Sequence, residues 1–115
     1  MTIKIYHNPR CTKSRQTLEL LENKGVNPKI ILYLENPPSV LELKEILKML
    51  GVKPRDIIRK KEEEYKNQNL DDKNLSDADL INAIIKTPKL LERPIVVNGN
   101  KAVIGRPPEN ILRVL

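Results

Sequence analysis

The sequence has no phenylalanine and no tryptophan, and only three tyrosines among its 115 residues. Proteins that hold single-stranded nucleic acid stack its bases on aromatic side chains, so this chain is poorly equipped for that task and no nucleic-acid partner is expected. It has one cysteine, Cys11, which excludes an internal disulfide. It has one histidine, His7, which cannot build a metal site unaided, and no metal is expected. No apolar run approaches the roughly 20 residues that cross a bilayer; the longest, Ile30-Ile31-Leu32-Tyr33-Leu34, has the length of a strand. The opening residues Met1-Thr2-Ile3-Lys4-Ile5-Tyr6-His7 run straight into a polar, chemically loaded segment rather than a signal-type apolar stretch. The expected location is therefore the cytoplasm, with no membrane partner. No repeat or linker interrupts the chain, and its length suits one domain spanning 1–115, with a monomer as the default state.

What is present is a globular composition, 39% hydrophobic and 31% charged, with 21 Lys and Arg against 15 Asp and Glu. The resulting +6 charge suits an anionic partner, whether nucleic acid, an acidic protein or a small oxyanion, and composition does not choose among them. Duplex DNA has only this net charge behind it.

The hydrophobic pattern predicts a short strand over residues 2–6, a turn at Asn8-Pro9, and a helix over 14–24 with Leu18 and Leu21 inward and Gly25 as its stop. A second strand over 29–34 after so short a helix predicts a right-handed βαβ unit with parallel strands, which places Cys11 between strand and helix. Ser39-Val40-Leu41-Glu42 is a capping-box signature ahead of Leu43, Ile46, Leu47 and Leu50, closed by Gly51. A helical piece follows Pro54 through Ile57 and Ile58, and in the charged run after it Lys60 and Glu64 have i,i+4 spacing for an ion pair. Ser76-Asp77-Ala78-Asp79 opens another helix, limited by Pro88. Residues 94–97 and 101–104 form a hairpin about Asn98-Gly99-Asn100, and Pro107-Pro108 start a last helix with Ile111, Leu112 and Leu115 inward. The predicted fold class is α/β: a four-stranded mixed sheet in the order βαβ, a helical insertion at about 39–86, then ββα, with helices on its faces.

A cysteine that follows a tight turn and opens a helix lies near unpaired backbone N–H groups and the positive end of the helix dipole, both of which favour a thiolate. His7, Arg10 and Arg15 are close in sequence and act in the same direction. A loop between polar residues is a poor place to bury Cys11, so a reactive thiol is expected there. In Cys11-Thr12-Lys13-Ser14 a serine takes the second position of a redox Cys-x-x-Cys, and the hydroxyls of Thr12 and Ser14 are placed to cap the helix or bond the sulfur. With no resolving cysteine, a loaded Cys11 needs a thiol from another molecule to discharge it. The anion cradle Cys-x5-Arg is absent, since position 17 is Thr17. His7 is expected to support the thiol rather than abstract a proton. Arg93 precedes Pro94 at a strand start, where a cis bond fits, and Arg106 follows Gly105 beyond the hairpin; spacing alone does not make them converge with Arg59.

With these residues in view the sequence resembles the glutaredoxin-linked arsenate reductases, a family with the thioredoxin/glutaredoxin-like fold. The resemblance runs from Ile3 onward and rests on Tyr6-His7-Asn8-Pro9-Arg10-Cys11 with Ser14-Arg15, Ile31-Leu32-Tyr33-Leu34-Glu35-Asn36-Pro37-Pro38, Arg59-Lys60, Glu92-Arg93-Pro94-Ile95-Val96-Val97 and Gly105-Arg106-Pro107. Thr12-Lys13 stands where the family often has Gly-Thr. The resemblance implies Cys11 as nucleophile, Arg59, Arg93 and Arg106 as oxyanion and thiolate ligands, His7 tuning the thiol, and Pro94 as the fold's cis-proline. It implies arsenate as substrate, glutathione as co-substrate with no bound cofactor, and glutaredoxin as partner. Three guanidinium forks match a tetrahedral oxyanion and offset its two negative charges.

Two other classes compete with an arsenate reductase. One is a redox adaptor of the same fold family that binds RNA polymerase, although Ser14 removes the disulfide switch such sensors use. The other is a monothiol exchanger acting on glutathione mixed disulfides.

Overall fold

A computed structural model describes residues 2–115. The chain order is β1 (Ile3–Tyr6), α1 (Thr12–Asn23), β2 (Lys29–Ile31), α2 (Val40–Leu50), a 3-10 helix Pro54–Ile57, α3 (Glu63–Asn67), α4 (Asp77–Lys86), a 3-10 helix Pro88–Leu90, β3 (Ile95–Asn98), β4 (Lys101–Ile104) and a 3-10 helix Pro108–Arg113. Two compact units result: one of residues 2–36 with Arg93–Leu115, the other Pro37–Glu92.

The first unit holds the sheet, with strand order β2-β1-β3-β4. β1 and β2 run parallel through Lys4↔Lys29 to Tyr6↔Ile31, as a βαβ unit requires, whereas β3 is antiparallel to both β1 and β4. Because side chains alternate along a strand, the paired Ile5 and Val96 share one face, and there they meet Leu21 of α1 with Ile111 and Val114. α1 stops because Gly25 adopts φ +78, which lets the Gly25 N–H reach the Glu22 carbonyl at 3.0 Å and the Val26 N–H the Leu21 carbonyl at 3.0 Å. This C-terminal motif sets Val26 against the same apolar cluster.

Three expectations need correction here. β2 ends at Ile31 rather than at 34. It is an edge strand whose one neighbour among the described residues, β1, finishes at Tyr6, and the His7 N–H to the Ile31 carbonyl is the last rung. The chain then turns through Glu35 and Asn36 N–H bonds to the Leu32 carbonyl, both 2.9 Å. The last helix is 3-10, closed by Asn110 N–H to Pro107 O and Val114 N–H to Ile111 O, each 3.0 Å. With three residues per turn the inward positions are Pro108, Ile111 and Val114, so Leu112 and Leu115 face outward at 50% and 48% exposure instead of packing.

In the second unit, Ser39 with Glu42 and Ser76 with Asp79 form reciprocal capping boxes at the starts of α2 and α4. Those helices pack together through Leu43, Ile46 and Leu47 on one and Leu80, Ile81 and Ile84 on the other. The third correction is that Lys60 does not pair with Glu64. α3 starts only at Glu63, so no helical turn spans 60 to 64, and Lys89 takes Glu64 at 3.2 Å instead.

The 3-10 register predicts that Ile111→Ala destabilises the fold by about 2–5 kcal/mol while Leu112→Ala stays within about 0.5 kcal/mol of the parent. Urea unfolding followed by circular dichroism checks the contrast, and similar losses from both variants would contradict the register.

Candidate active site

β1, β3 and β4 deliver their flanking residues to one end of the sheet. β1 finishes at Tyr6, which pairs with Ile95 at the start of β3, which pairs in turn with Ile104 at the finish of β4. The segment from His7 to Cys11, the Arg93-Pro94 step and Arg106 therefore gather at that end. Both Arg93-Pro94 and Arg106-Pro107 are cis; the sequence suggested the first and gave no sign of the second.

Cys11 is the N-cap of α1, with extended backbone at φ −94, ψ 122. Its N–H donates to the Asn8 carbonyl at 3.0 Å, and its carbonyl accepts from the Arg15 N–H at 3.0 Å, so the residue is fixed on both sides. A side chain at the N-cap sits beside the unpaired N–H groups of the first turn, where an anion is favoured. α1 has no side-chain cap. The Arg106 guanidinium reaches the sulfur from 95 residues away, with Nη1 3.9 Å from Sγ.

The thiol is more enclosed than a loop among polar residues led us to expect. Cys11 keeps 9% of its surface, because the N-cap geometry lays the side chain over the helix end and Arg106 lies against it.

The hydroxyls also differ from expectation. Ser14 neither caps α1 nor bonds the sulfur. Its Oγ is fully buried, accepts the Asn8 N–H at 3.0 Å and shares a 2.6 Å hydrogen bond with His7 Nδ1. Thr12 Oγ1 accepts from Arg15 Nη2 at 3.2 Å, and Arg15 Nη1 donates to the Pro9 carbonyl at 2.8 Å. Arg15 thus staples the loop over Cys11. Asn8 Oδ1 takes the Arg10 N–H at 3.0 Å, closing the turn from within. His7 is buried and joined to Ser14, so the imidazole braces the loop in which the sulfur sits. Arg59 lies in the other unit, where its guanidinium Nη1 is 2.5 Å from Glu62 Oε1. Among the described residues no group of three or more His, Cys, Asp or Glu is placed to hold a metal ion.

Sequence reasoning assigned no contact to Thr17 or to Gly105, the residue before Arg106. Thr17, fully buried on α1, hydrogen-bonds the Gly105 carbonyl at 3.1 Å. The available signal was a glycine directly before an arginine at a strand end.

A four-stranded mixed sheet with a helix-capping cysteine at the end of β1 and a cis-proline opening β3 defines a thioredoxin-like protein with a single thiol. The ArsC family pattern matches residues 6–114, and the chain belongs to the ArsC family. It is 55% identical over 116 residues to a protein named arsenate reductase from Haemophilus influenzae, with 100% of each chain covered. An arsenate reductase from Escherichia coli is 43% identical over 113 residues, covering 98% of this chain and 80% of that one. A solved structure described as arsenate reductase from Vibrio cholerae superposes with TM-score 0.97 at 53% identity, covering 100% of this chain and 98% of the other. No helix among the described residues is long and apolar enough to cross a membrane.

His7 is held below its ordinary value of 6.5, first by burial, which penalises the imidazolium, and then by the Arg15 charge. An unfolded chain therefore takes up this proton near 6.5 while the folded one waits for lower pH, so stability falls as pH drops below 6.5 and levels off once the folded imidazole is protonated. Urea midpoints at about pH 7.5 and 5.5 should decline in the parent and decline less in His7→Gln; equal declines would assign the slope to other groups.

Proposed function

We propose that this protein reduces arsenate to arsenite with glutathione and glutaredoxin, through a covalent adduct on Cys11. The observation that carries the reading is the sulfur at the start of α1 with the Arg106 guanidinium 3.9 Å away, a pairing of nucleophile and cation. The names of the relatives point to the same substrate.

In this scheme Arg106 and Arg93 hold the arsenate oxygens, a role the family resemblance also implies for Arg59, and the Cys11 thiolate attacks arsenic. An S–As bond forms, an As–OH bond breaks, and the departing hydroxyl takes a proton from solvent to leave as water. The thiolate of glutathione then attacks the Cys11 sulfur. A disulfide bond forms, the S–As electron pair returns to arsenic, and arsenic leaves as arsenite in the trivalent state. The two electrons come from the two sulfurs. Glutaredoxin removes the glutathionyl group by a further exchange and restores the thiolate. His7 acts through Ser14, keeping the Asn8 to Cys11 turn in shape, and Pro94 shapes the start of β3 beside it.

Cys11→Ser should abolish arsenite formation in an assay supplied with glutathione and glutaredoxin, and omission of either reductant should do the same to the parent. Arg106→Ala should lower kcat/KM for arsenate by about 10- to 100-fold, the size expected for losing a charged hydrogen-bond partner. Turnover that persists in Cys11→Ser would sink the scheme. Reduction of a glutathione mixed disulfide with no arsenate reduction would replace it with the monothiol exchanger.

A further inference from the structure

We infer that Thr17 is a positioning residue: its hydroxyl fixes Gly105, and through Gly105 it sets the Arg106 guanidinium against the Cys11 sulfur. The inference rests on the proposed roles of Cys11 and Arg106 and adds how their separation is set.

Thr17 follows Cys11 by six residues, about 9 Å along the axis of α1. Its side chain is fully buried on the sheet side of the helix rather than turned to solvent. The single hydroxyl proton is shared between the Lys13 carbonyl at 2.8 Å, one turn back, and the Gly105 carbonyl at 3.1 Å, 88 residues away. The first bond orients the hydroxyl, and the second ties α1 to the end of β4.

Gly105 is held from three directions. Its carbonyl accepts from Thr17, its N–H donates to the Pro94 carbonyl at 2.9 Å, and its Cα face lies against both side chains. A Cβ there would stand 2.7 Å from Thr17 Oγ1 and 2.9 Å from Thr17 Cγ2, closer than real Cβ atoms come, and 3.0 Å from Pro94 Cγ, a tight contact. Only a residue without a side chain lets the strand end approach this near, and its φ is not in the left-handed region, so contact rather than backbone conformation demands the glycine.

The next residue is Arg106, whose Nη1 touches Cys11 Sγ. The contacts thus close a ring: Cys11 along α1 to Thr17, across to Gly105, on to Arg106 and back to the sulfur. One rigid helix carries both the thiol and the clamp that sets the distance of its cation. Lys13, whose carbonyl completes the clamp, is two residues from Cys11, so a shift of the first turn of α1 would move sulfur and clamp together.

The test is the rate of Cys11 alkylation by iodoacetamide in the intact chain, which needs neither arsenate nor reductant. At neutral pH Arg106→Ala should slow alkylation about five- to tenfold by removing a positive charge beside the sulfur, with the deficit closing in alkali where any thiol is ionised. Thr17→Val, nearly the same shape without the hydroxyl, should show the same deficit and the same recovery in alkali. The double variant Thr17→Val, Arg106→Ala should be no slower than Arg106→Ala alone. Thr17→Ser, which keeps the hydroxyl, should restore the parent rate. Gly105→Ala, which forces the strand end off Thr17, should match Arg106→Ala and carries the comparison if Thr17→Val does not fold. A parent-like rate in Thr17→Val, or losses that multiply in the double variant, would overturn the inference. An unchanged rate in Arg106→Ala would instead remove the cation from the proposed function.

Discussion

The contact between the Cys11 sulfur and the Arg106 guanidinium is the interaction on which the rest of the first unit converges. A thiol alone is a weak nucleophile near neutral pH, and a cation in van der Waals reach stabilises its charged form. Neither residue reaches the other through local structure, since 95 positions separate them. The parallel pairing of β2 with β1 leaves the centre of the sheet to β1 and β3, and the antiparallel run of β3 and β4 returns the chain to the end where β1 stops. The sheet order is therefore the device that converts distant sequence positions into one charge pair.

Around that pair the polar groups do more bracing than chemistry. His7, Ser14 and the Asn8 N–H consume their hydrogen bonds on one another, and Arg15 spends its own on the Thr12 hydroxyl and the Pro9 carbonyl. The imidazole, kept below its usual protonation range by burial, contributes shape rather than charge near neutral pH. Positive charge beside the sulfur comes from Arg106, and the exposed Arg10 and Arg15 raise the potential around the loop.

The parts of this arrangement that were legible in the sequence are those decided within a few residues. Ser39 with Glu42, Ser76 with Asp79, and Gly25 and Gly51 as helix stops are local chemistry, and each lies where its pattern puts it. So is a cysteine between a strand and a helix. What the pattern did not reveal depends on partners elsewhere. β2 is cut short because its neighbour ends, not because Leu32, Tyr33 or Leu34 resist extension. Leu112 and Leu115 read as an inward face only if the turn has 3.6 residues, and the 3-10 turn moves that face to Ile111 and Val114. Thr17 looked like the missing arginine of an anion cradle and is instead a contact to Gly105, a role no local motif encodes. The expectation that Arg59, Arg93 and Arg106 act together came from family resemblance, since spacing contains no information on convergence.

Position 14 explains why a second cysteine is not simply missing from a redox pair. In a Cys-x-x-Cys motif the second sulfur must be free to attack the first. Here the equivalent side chain is fully buried, and its oxygen already holds the His7 ring at 2.6 Å and the Asn8 N–H at 3.0 Å. A larger sulfur, with weaker hydrogen bonding, would loosen the turn that fixes Cys11. The serine that braces the Cys11 loop thus occupies the place from which an internal thiol would resolve a disulfide there. With Cys11 the chain's single cysteine, any disulfide formed there has to be opened by a sulfur from another molecule.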